Sequence, residues 1–191
     1  MFFPLRVGHS TCLHAKCGET RRSETDALTS ARAMLDRMFR TEMAFMKAAD
    51  RNPEALVEAF HPLVVIHEPR SLPYGGDWIG LTGVARLMRQ MGELFSGMEI
   101  QDLTCSGSPE SLHVYCTLRM SIRATSVTLV QPFAEVLRFE DGRLIEGTPF
   151  YFDTSALVEA FGGTAVTARE TPPAMEEQPP ASRGRPHRAS D

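Results

Sequence analysis

The sequence predicts an α+β domain in which three to four helices pack on one face of a curved antiparallel sheet. Three observations support this prediction. Apolar residues recur every three or four positions early in the chain and every second position later. Turn-forming strings separate the strand-like runs. The chain has 191 residues, which suits one domain with tails.

The helices are predicted first. In residues 31–50, apolar side chains recur at helical spacing, with charged residues between them. Asn52 and Pro53 predict the start of a short second helix, because Asn is a good N-cap and Pro suits the first helical position. Thr82 is the expected cap of a third helix over residues 83–96.

The second half of the chain is predicted to form most of the strands. A first strand at residues 63–68 is followed by a loop over 70–81 that can include a short extended piece. Asp153 is expected to cap a last short helix. The other predicted strands, joined in pairs by the turns 107–110 and 140–142, are residues 98–106, 111–123, 126–139 and 143–152.

Composition divides the chain into three parts. Residues 31–163 contain nearly all of the periodic apolar pattern and are predicted to be the folded domain. Residues 1–30 show no clear period and are interpreted as a flexible leader. Residues 164–191 are rich in Pro and lack aromatic residues, which is typical of a disordered tail.

The leader contains a short run of residue types that bind zinc. Structural zinc sites usually join two ligand pairs across a longer loop, so this spacing favours a leader without metal. No cofactor is predicted for the rest of the chain either. The run consists of His9, Cys12, His14 and Cys17.

Charge and hydropathy exclude several classes of function. The net charge is -4, which makes binding to nucleic-acid phosphates a poor hypothesis. No apolar run approaches the ~18–20 residues of a membrane span. The N-terminus has no secretory pattern, and Cys105 and Cys116 are predicted too far apart to pair. We therefore expect a cytoplasmic protein with reduced thiols.

Glu135 is the most unusual residue of the predicted sheet. It lies in the middle of an apolar strand face with Phe133 and Leu137, where burial of an unpaired charge is costly. One interpretation is a neutral carboxylic acid in a pocket, with a raised pKa. The alternatives are pairing with an Arg, or a bulge at Pro132 that turns Glu135 towards solvent.

Glu68 and the following loop supply further candidates. His67 and Glu68 point to opposite faces of their strand, and the sequence leaves open which one faces inward. His67 can instead be a core histidine, and Glu68 a solvated strand end. Tyr74 and Trp78 flank Gly-Gly-Asp, so this loop can close over a ligand; the alternative is that Trp78 packs over the sheet edge.

The order of elements and several local strings resemble the NTF2-like superfamily, in its SnoaL-like and ketosteroid-isomerase-like branch. The resemblance covers residues 31–163. Its most specific part is the ending, with Tyr151-Phe152-Asp153 and a short helix. The other strings are Ala59-Phe60-His61-Pro62, Val65-Ile66-His67-Glu68-Pro69, Leu72-Pro73-Tyr74-Gly75-Gly76-Asp77-Trp78-Ile79-Gly80 and Phe139-Glu140-Asp141-Gly142-Arg143-Leu144-Ile145.

This resemblance implies a cone-shaped fold around an apolar pocket, and a homodimer formed through the sheet. Glu68 takes the place of the catalytic base of the isomerases. Glu135 begins a Glu-Val-Leu-Arg-Phe string that matches the one carrying their oxyanion-hole acid. Those enzymes also use a Tyr on the first helix, and residues 31–50 contain none. One oxyanion donor is therefore missing.

The leading hypothesis is an isomerase-like or cyclase-like enzyme that acts on a small apolar molecule containing a carbonyl. Glu68 and Glu135 are the predicted catalytic residues. The alternative is a non-catalytic ligand-binding or accessory domain, since one fold hosts many functions. The residues expected to contact the ligand are Phe39, Phe45, His67, Tyr74, Trp78 and Phe133.

Overall fold

The structure is a computed structural model that describes residues 20–162. The His/Cys run and the Pro-rich tail lie outside the described residues. Four helical segments pack on one sheet of six strands. The helical segments are α1 (Thr20–Lys47), a 3₁₀ helix (Pro53–Glu58), α2 (Gly80–Leu94) and α3 (Thr154–Ala160). The strands are β1 (Phe60–Glu68), β2 (Gly76–Ile79), β3 (Phe95–Ser108), β4 (Ser111–Ile122), β5 (Thr128–Glu140) and β6 (Arg143–Tyr151).

The sheet has the strand order β2-β1-β6-β5-β4-β3. All neighbours are antiparallel except β1 and β6, which pair in parallel with Ile66 beside Gly147. The sequence predicted antiparallel strands alone. The parallel pair joins strands distant in the chain, so no local turn signal reveals it. This pairing sets β1, which ends in Glu68, between the edge strand β2 and β6.

Two of the three predicted helix caps are confirmed. The Asn52 side chain accepts a hydrogen bond of 3.1 Å from the Glu54 amide, and Asp153 accepts one of 2.8 Å from the Ala156 amide. The prediction for Thr82 is wrong. α2 begins at Gly80, which follows an extended Ile79 and adopts a φ of +69° that suits glycine.

Helix α1 starts earlier than the sequence pattern indicated. Its first described residue is Thr20, so the predicted boundary between leader and domain at residue 30 falls inside the helix. Leu28 and Ala31 pack against the core and extend the apolar stripe of Leu35 and Met38 towards the N-terminus. This added length brings a continuous helix face across the sheet.

The sheet has one covered face and one open face. The even-numbered residues of β4 from Leu112 to Ile122 are buried, as the alternating pattern predicted. Cys105 and Cys116 are free thiols. None of the described helices is long and apolar enough to cross a membrane. The covered face, with α1 and α2 packed over it, encloses the site described next.

Candidate functional site

A cavity of about 230 Å³ lies between α1, α2 and the covered face of the sheet. Of the eight residues predicted to act or bind at the site, four line it: Phe39, Glu68, Phe133 and Glu135. The walls are mainly apolar, and the described lining residues include no Lys, Arg or His. Six methionines contribute to the walls: Met38, Met43, Met46, Met88, Met91 and Met98.

Glu135 enters the cavity from β5. Its strand keeps a continuous register with β4 through Pro132, which pairs with Thr117, so no bulge turns Glu135 outward. No Arg forms an ion pair with it among the described side chains. Gly147 on the neighbouring strand β6 makes room for Ile66, because a Cβ at that position would lie 2.9 Å from Ile66 Cδ1, whereas its distance of 3.7 Å from Glu135 Oε1 would be an ordinary contact. The alternation of side chains along β5 therefore directs the Glu135 carboxyl group to the covered face of the sheet, where it lines the cavity.

Glu68 enters the cavity from the end of β1. It shares the inner face with Ile66, and only 7% of it is exposed, so it is not a solvated strand end. Its Oε2 atom has no hydrogen-bond partner among the described residues. The hydroxyl of Tyr151 lies nearby and favours the ionised form of Glu68, but this contact leaves Oε2 unsatisfied.

A third carboxyl, that of Glu42 on α1, also lines the cavity. Sequence reasoning missed it. The available signal was its spacing, because Glu42 continues the helix stripe that contains Leu35, Met38 and Phe45, all of which are buried. A glutamate in the middle of an apolar helix stripe is as unusual as one on an apolar strand face.

Burial raises the pKa of all three carboxyl groups. The pKa of Glu68 rises to about 8, and that of Glu42 also rises to about 8, because each loses solvation and each is close to the negative charge of Glu135. Loss of solvation raises the pKa of Glu135 to about 7. The three groups therefore hold protons near neutral pH, and they titrate as a coupled cluster.

Tyr151 connects the cavity to an aromatic cluster in the core. Its ring contacts Phe133 with centroids 5.1 Å apart, and Tyr74 with centroids 6.4 Å apart. Tyr74 is buried, and its hydroxyl has no hydrogen-bond partner among the described residues. Burial and the nearby Glu68 raise the pKa of both phenols, so Tyr151 and Tyr74 stay neutral. Sequence reasoning did not place Tyr151 at the site.

Four predicted ligand contacts lie elsewhere. Tyr74 packs in the core against Phe95 rather than closing over the cavity. Trp78 donates a hydrogen bond to the Tyr74 carbonyl and lies under Arg86. Phe45 is buried behind the cavity wall, with Arg89 over its ring. His67 is neither a core histidine nor a cavity residue: it lies on the opposite face of β1 and pairs with Asp77 at 2.8 Å.

The site therefore combines three proton-holding carboxyl groups with an apolar enclosure. A model of the SnoaL-like domain matches residues 29–147, which is more than half of the chain. The chain belongs to the SnoaL-like domain family. The sequence resemblance to this branch of the NTF2-like superfamily is thus confirmed, together with the α+β fold. No curated protein matches the sequence of this SnoaL-like protein.

Solved structures with low sequence identity share the fold of this SnoaL-like domain. TerC, co-crystallised with polyporic acid, is 18% identical, with a TM-score of 0.57 over 70% of this chain and 98% of its own. An NTF2-like protein of unknown function from Burkholderia pseudomallei is 21% identical, with a TM-score of 0.57 over 69% and 97%. A putative SnoaL-like polyketide cyclase from Jannaschia is 15% identical, with a TM-score of 0.54 over 70% and 92%.

Proposed function

We propose that this SnoaL-like domain catalyses proton transfer at carbon next to a carbonyl group of a small apolar substrate. The observation that supports this most directly is the pair formed by Glu68 and Glu135, which both line one apolar cavity and both have raised pKa values. Between about pH 7 and 8 the pair holds one proton, and the proposed reactive form is the one in which ionised Glu68 removes the substrate proton while Glu135 keeps the shared proton and donates a hydrogen bond to the developing oxyanion. This is the less populated form of the pair, because the pKa of Glu135, about 7, is below that of Glu68, about 8. Isomerisation and ring closure both begin with removal of the substrate proton.

The cavity limits the size of the substrate. Its volume of about 230 Å³ is below the ~300–1,000 Å³ typical of drug-sized ligands, so one or two rings fill it. The apolar side chains Phe39 and Phe133 suit a hydrocarbon frame. The SnoaL-like family and the structural relative described as a putative SnoaL-like polyketide cyclase agree with such a substrate.

Deuterium exchange tests the proposed reaction without knowledge of the natural substrate. Acetophenone, cyclohexanone and indanone are incubated with the protein in D₂O, and deuterium at the carbon next to the carbonyl is followed by NMR. We expect exchange of at least one of these ketones well above the rate in buffer, because exchange needs only the base and the oxyanion donor. Exchange at the buffer rate for all three ketones would contradict the proposed function.

Binding without turnover is the second candidate function. The specific observation in its favour is the absence of Tyr from residues 31–50, since loss of one oxyanion donor can cost ~10²–10³ in rate. This function predicts saturable ketone binding with no deuterium exchange. The same NMR samples therefore distinguish the two functions.

The open face of the sheet supports a homodimer. Tyr115 on β4, Val130 on β5, Phe150 on β6 and Phe152 directly after β6 are 53–77% exposed. Tyr115 pairs with Ala134, which pairs in turn with Phe150, so these side chains form one row across three strands. A second copy of this chain would cover an apolar surface that monomers rarely leave open.

A charge in that row is expected to abolish dimerisation. We expect the full-length wild type to sediment as a dimer and Phe150→Asp to sediment as a monomer, because the substitution would bury an unpaired carboxylate in the interface. Analytical ultracentrifugation measures the change. Val57→Asp, on the exposed side of the 3₁₀ helix, is the matched control and should remain dimeric. A monomeric wild type, or a dimeric Phe150→Asp, would contradict the homodimer.

A further inference from the structure

Glu42 has no role in the proposed reaction, although it lines the same cavity as the two carboxyl groups that do. It follows Met38 by one helical turn and faces the sheet from α1. No described side chain forms a hydrogen bond or an ion pair with its carboxyl group. A glutamate in this position needs either a proton or a cation to offset its burial.

No described residue supplies a cation to the lining of the cavity at this position. The titratable groups that line the cavity are Glu42 on α1, Glu68 on β1, Glu135 on β5 and Tyr151 on β6, and ionisation makes each of them negative. The two arginines of α2 do not line the cavity: Arg89 donates a hydrogen bond to the Arg51 carbonyl, and Arg86 lies over the Trp78 ring. The described lining of the cavity thus contains three carboxyl groups and no basic side chain.

Two further observations point to a ligand cation that replaces the proton on Glu42. The three carboxyl groups all line one cavity, and within residues 20–162 no three His, Cys, Asp or Glu side chains are placed to hold a metal ion. In addition, Glu68 lines the cavity and is more than nine-tenths buried, and its buried Oε2 atom has no hydrogen-bond partner among the described residues. Unsatisfied buried acceptors favour a ligand with N–H or O–H donors.

We propose that the substrate carries a basic amine in addition to its carbonyl group, and that Glu42 binds this amine as an ammonium ion. The proposal rests on the proposed function, because that function assigns Glu68 and Glu135 to the reaction and leaves Glu42 for binding. An ammonium ion offers three donors and a positive charge, and the methionine and phenylalanine walls accept the apolar remainder.

Matched pairs of ligands test the proposal by calorimetry. Benzylamine, phenethylamine and cyclohexylmethylamine are each compared with the alcohol of the same frame, with the full-length wild type near pH 8. We expect the best-fitting amine to bind about tenfold or more tightly than its alcohol, the usual size of a charge-assisted hydrogen bond. Glu42→Gln should remove this preference and leave alcohol binding within about threefold.

The control variant carries the same substitution outside the cavity. Glu58→Gln, on the exposed surface of the 3₁₀ helix, should keep the full preference for the amine. Equal binding of amine and alcohol by the wild type, or no binding of any pair, would overturn the proposal. A preference that persists in Glu42→Gln would also overturn it. Binding is measured without turnover, so a failure of catalysis leaves these results unaffected.

Proton release on ligand binding provides a second measurement. It uses the wild type alone, so misfolding of a variant cannot affect the result. The pKa of Glu42 is about 8, so at pH 7 most of its carboxyl groups are protonated and an ammonium ion must displace that proton to solvent. Calorimetry of the wild type in two buffers of different ionisation enthalpy should show release of up to one proton per amine and none per alcohol. Amine binding with no proton release at pH 7 would contradict the pairing with Glu42.

Discussion

Replacement of Glu68 by Gln is expected to slow deuterium exchange into a bound ketone by about 10²–10⁴-fold, the usual contribution of a general base. Gln fills the same volume at the end of β1, beside Ile66 and Tyr151, but it does not accept a proton from carbon. The effect should appear in kcat, measured at saturating ketone, because the substitution leaves the apolar walls of the cavity unchanged.

The control for this variant lies on the opposite face of the sheet. Glu146→Gln removes a carboxylate that pairs with Arg138 at 3.0 Å outside the cavity, so it should keep the wild-type rate. The wild-type rate should follow a bell-shaped pH profile with a maximum between about pH 7 and 8, because one carboxyl must lose its proton while another retains it. Full activity of Glu68→Gln would remove Glu68 from the mechanism.

The second large effect concerns stability. We expect the free energy of unfolding to fall by several kcal/mol between about pH 5 and pH 8. In the unfolded chain the three carboxyl groups ionise near pH 4.5, whereas in the folded protein Glu42, Glu68 and Glu135 keep their protons until about pH 7 to 8. The unfolded state therefore binds fewer protons across this window, so stability decreases as pH rises, by ~1.4 kcal/mol per proton per pH unit.

Urea denaturation at several pH values measures this dependence. Below about pH 4.5 the carboxyl groups are protonated in both states and above about pH 8 they ionise in both, so their contribution should be flat outside the window. The triple variant Glu42→Gln, Glu68→Gln, Glu135→Gln should lose most of this decrease in the free energy of unfolding within the window. A wild-type stability that rises from pH 5 to pH 8 would contradict buried, proton-holding carboxyl groups.

The sequence predicted the helix-and-sheet architecture well because each element has a local signal. The strict alternation in β4 assigned its buried face, and Asn52 and Asp153 each marked a helix start. Glu135 was found in the same way, since a carboxyl among Phe133 and Leu137 breaks a strand pattern. These predictions depend on neighbouring residues alone, so one sequence was enough.

The composition of the cavity wall could not be read from the sequence, because the wall forms where segments that are distant in the chain come into contact. Glu42 and Tyr151 are more than a hundred residues apart, and only the packing of α1 against the sheet brings both to one cavity. The facing of His67 was undetermined because both faces of its strand are apolar in sequence. The parallel pairing of β1 with β6 resolves it and turns His67 outward. The sequence placed Trp78 in a loop, whereas in the structure it lies in β2, the edge strand that pairs with β1.

The six methionines of the cavity wall have a consequence for how this domain changes its ligand over evolution. Methionine is unbranched, so a thioether such as that of Met46 or Met88 can adopt new rotamers without movement of the backbone. The three carboxyl groups are positioned by strands and a helix, whereas the methionine side chains of the cavity wall can change rotamer and fit a ligand of different shape. Different residues therefore determine the shape of the ligand and the transfer of protons. The ligand shape can change in evolution while the proton-transferring carboxyl groups stay the same.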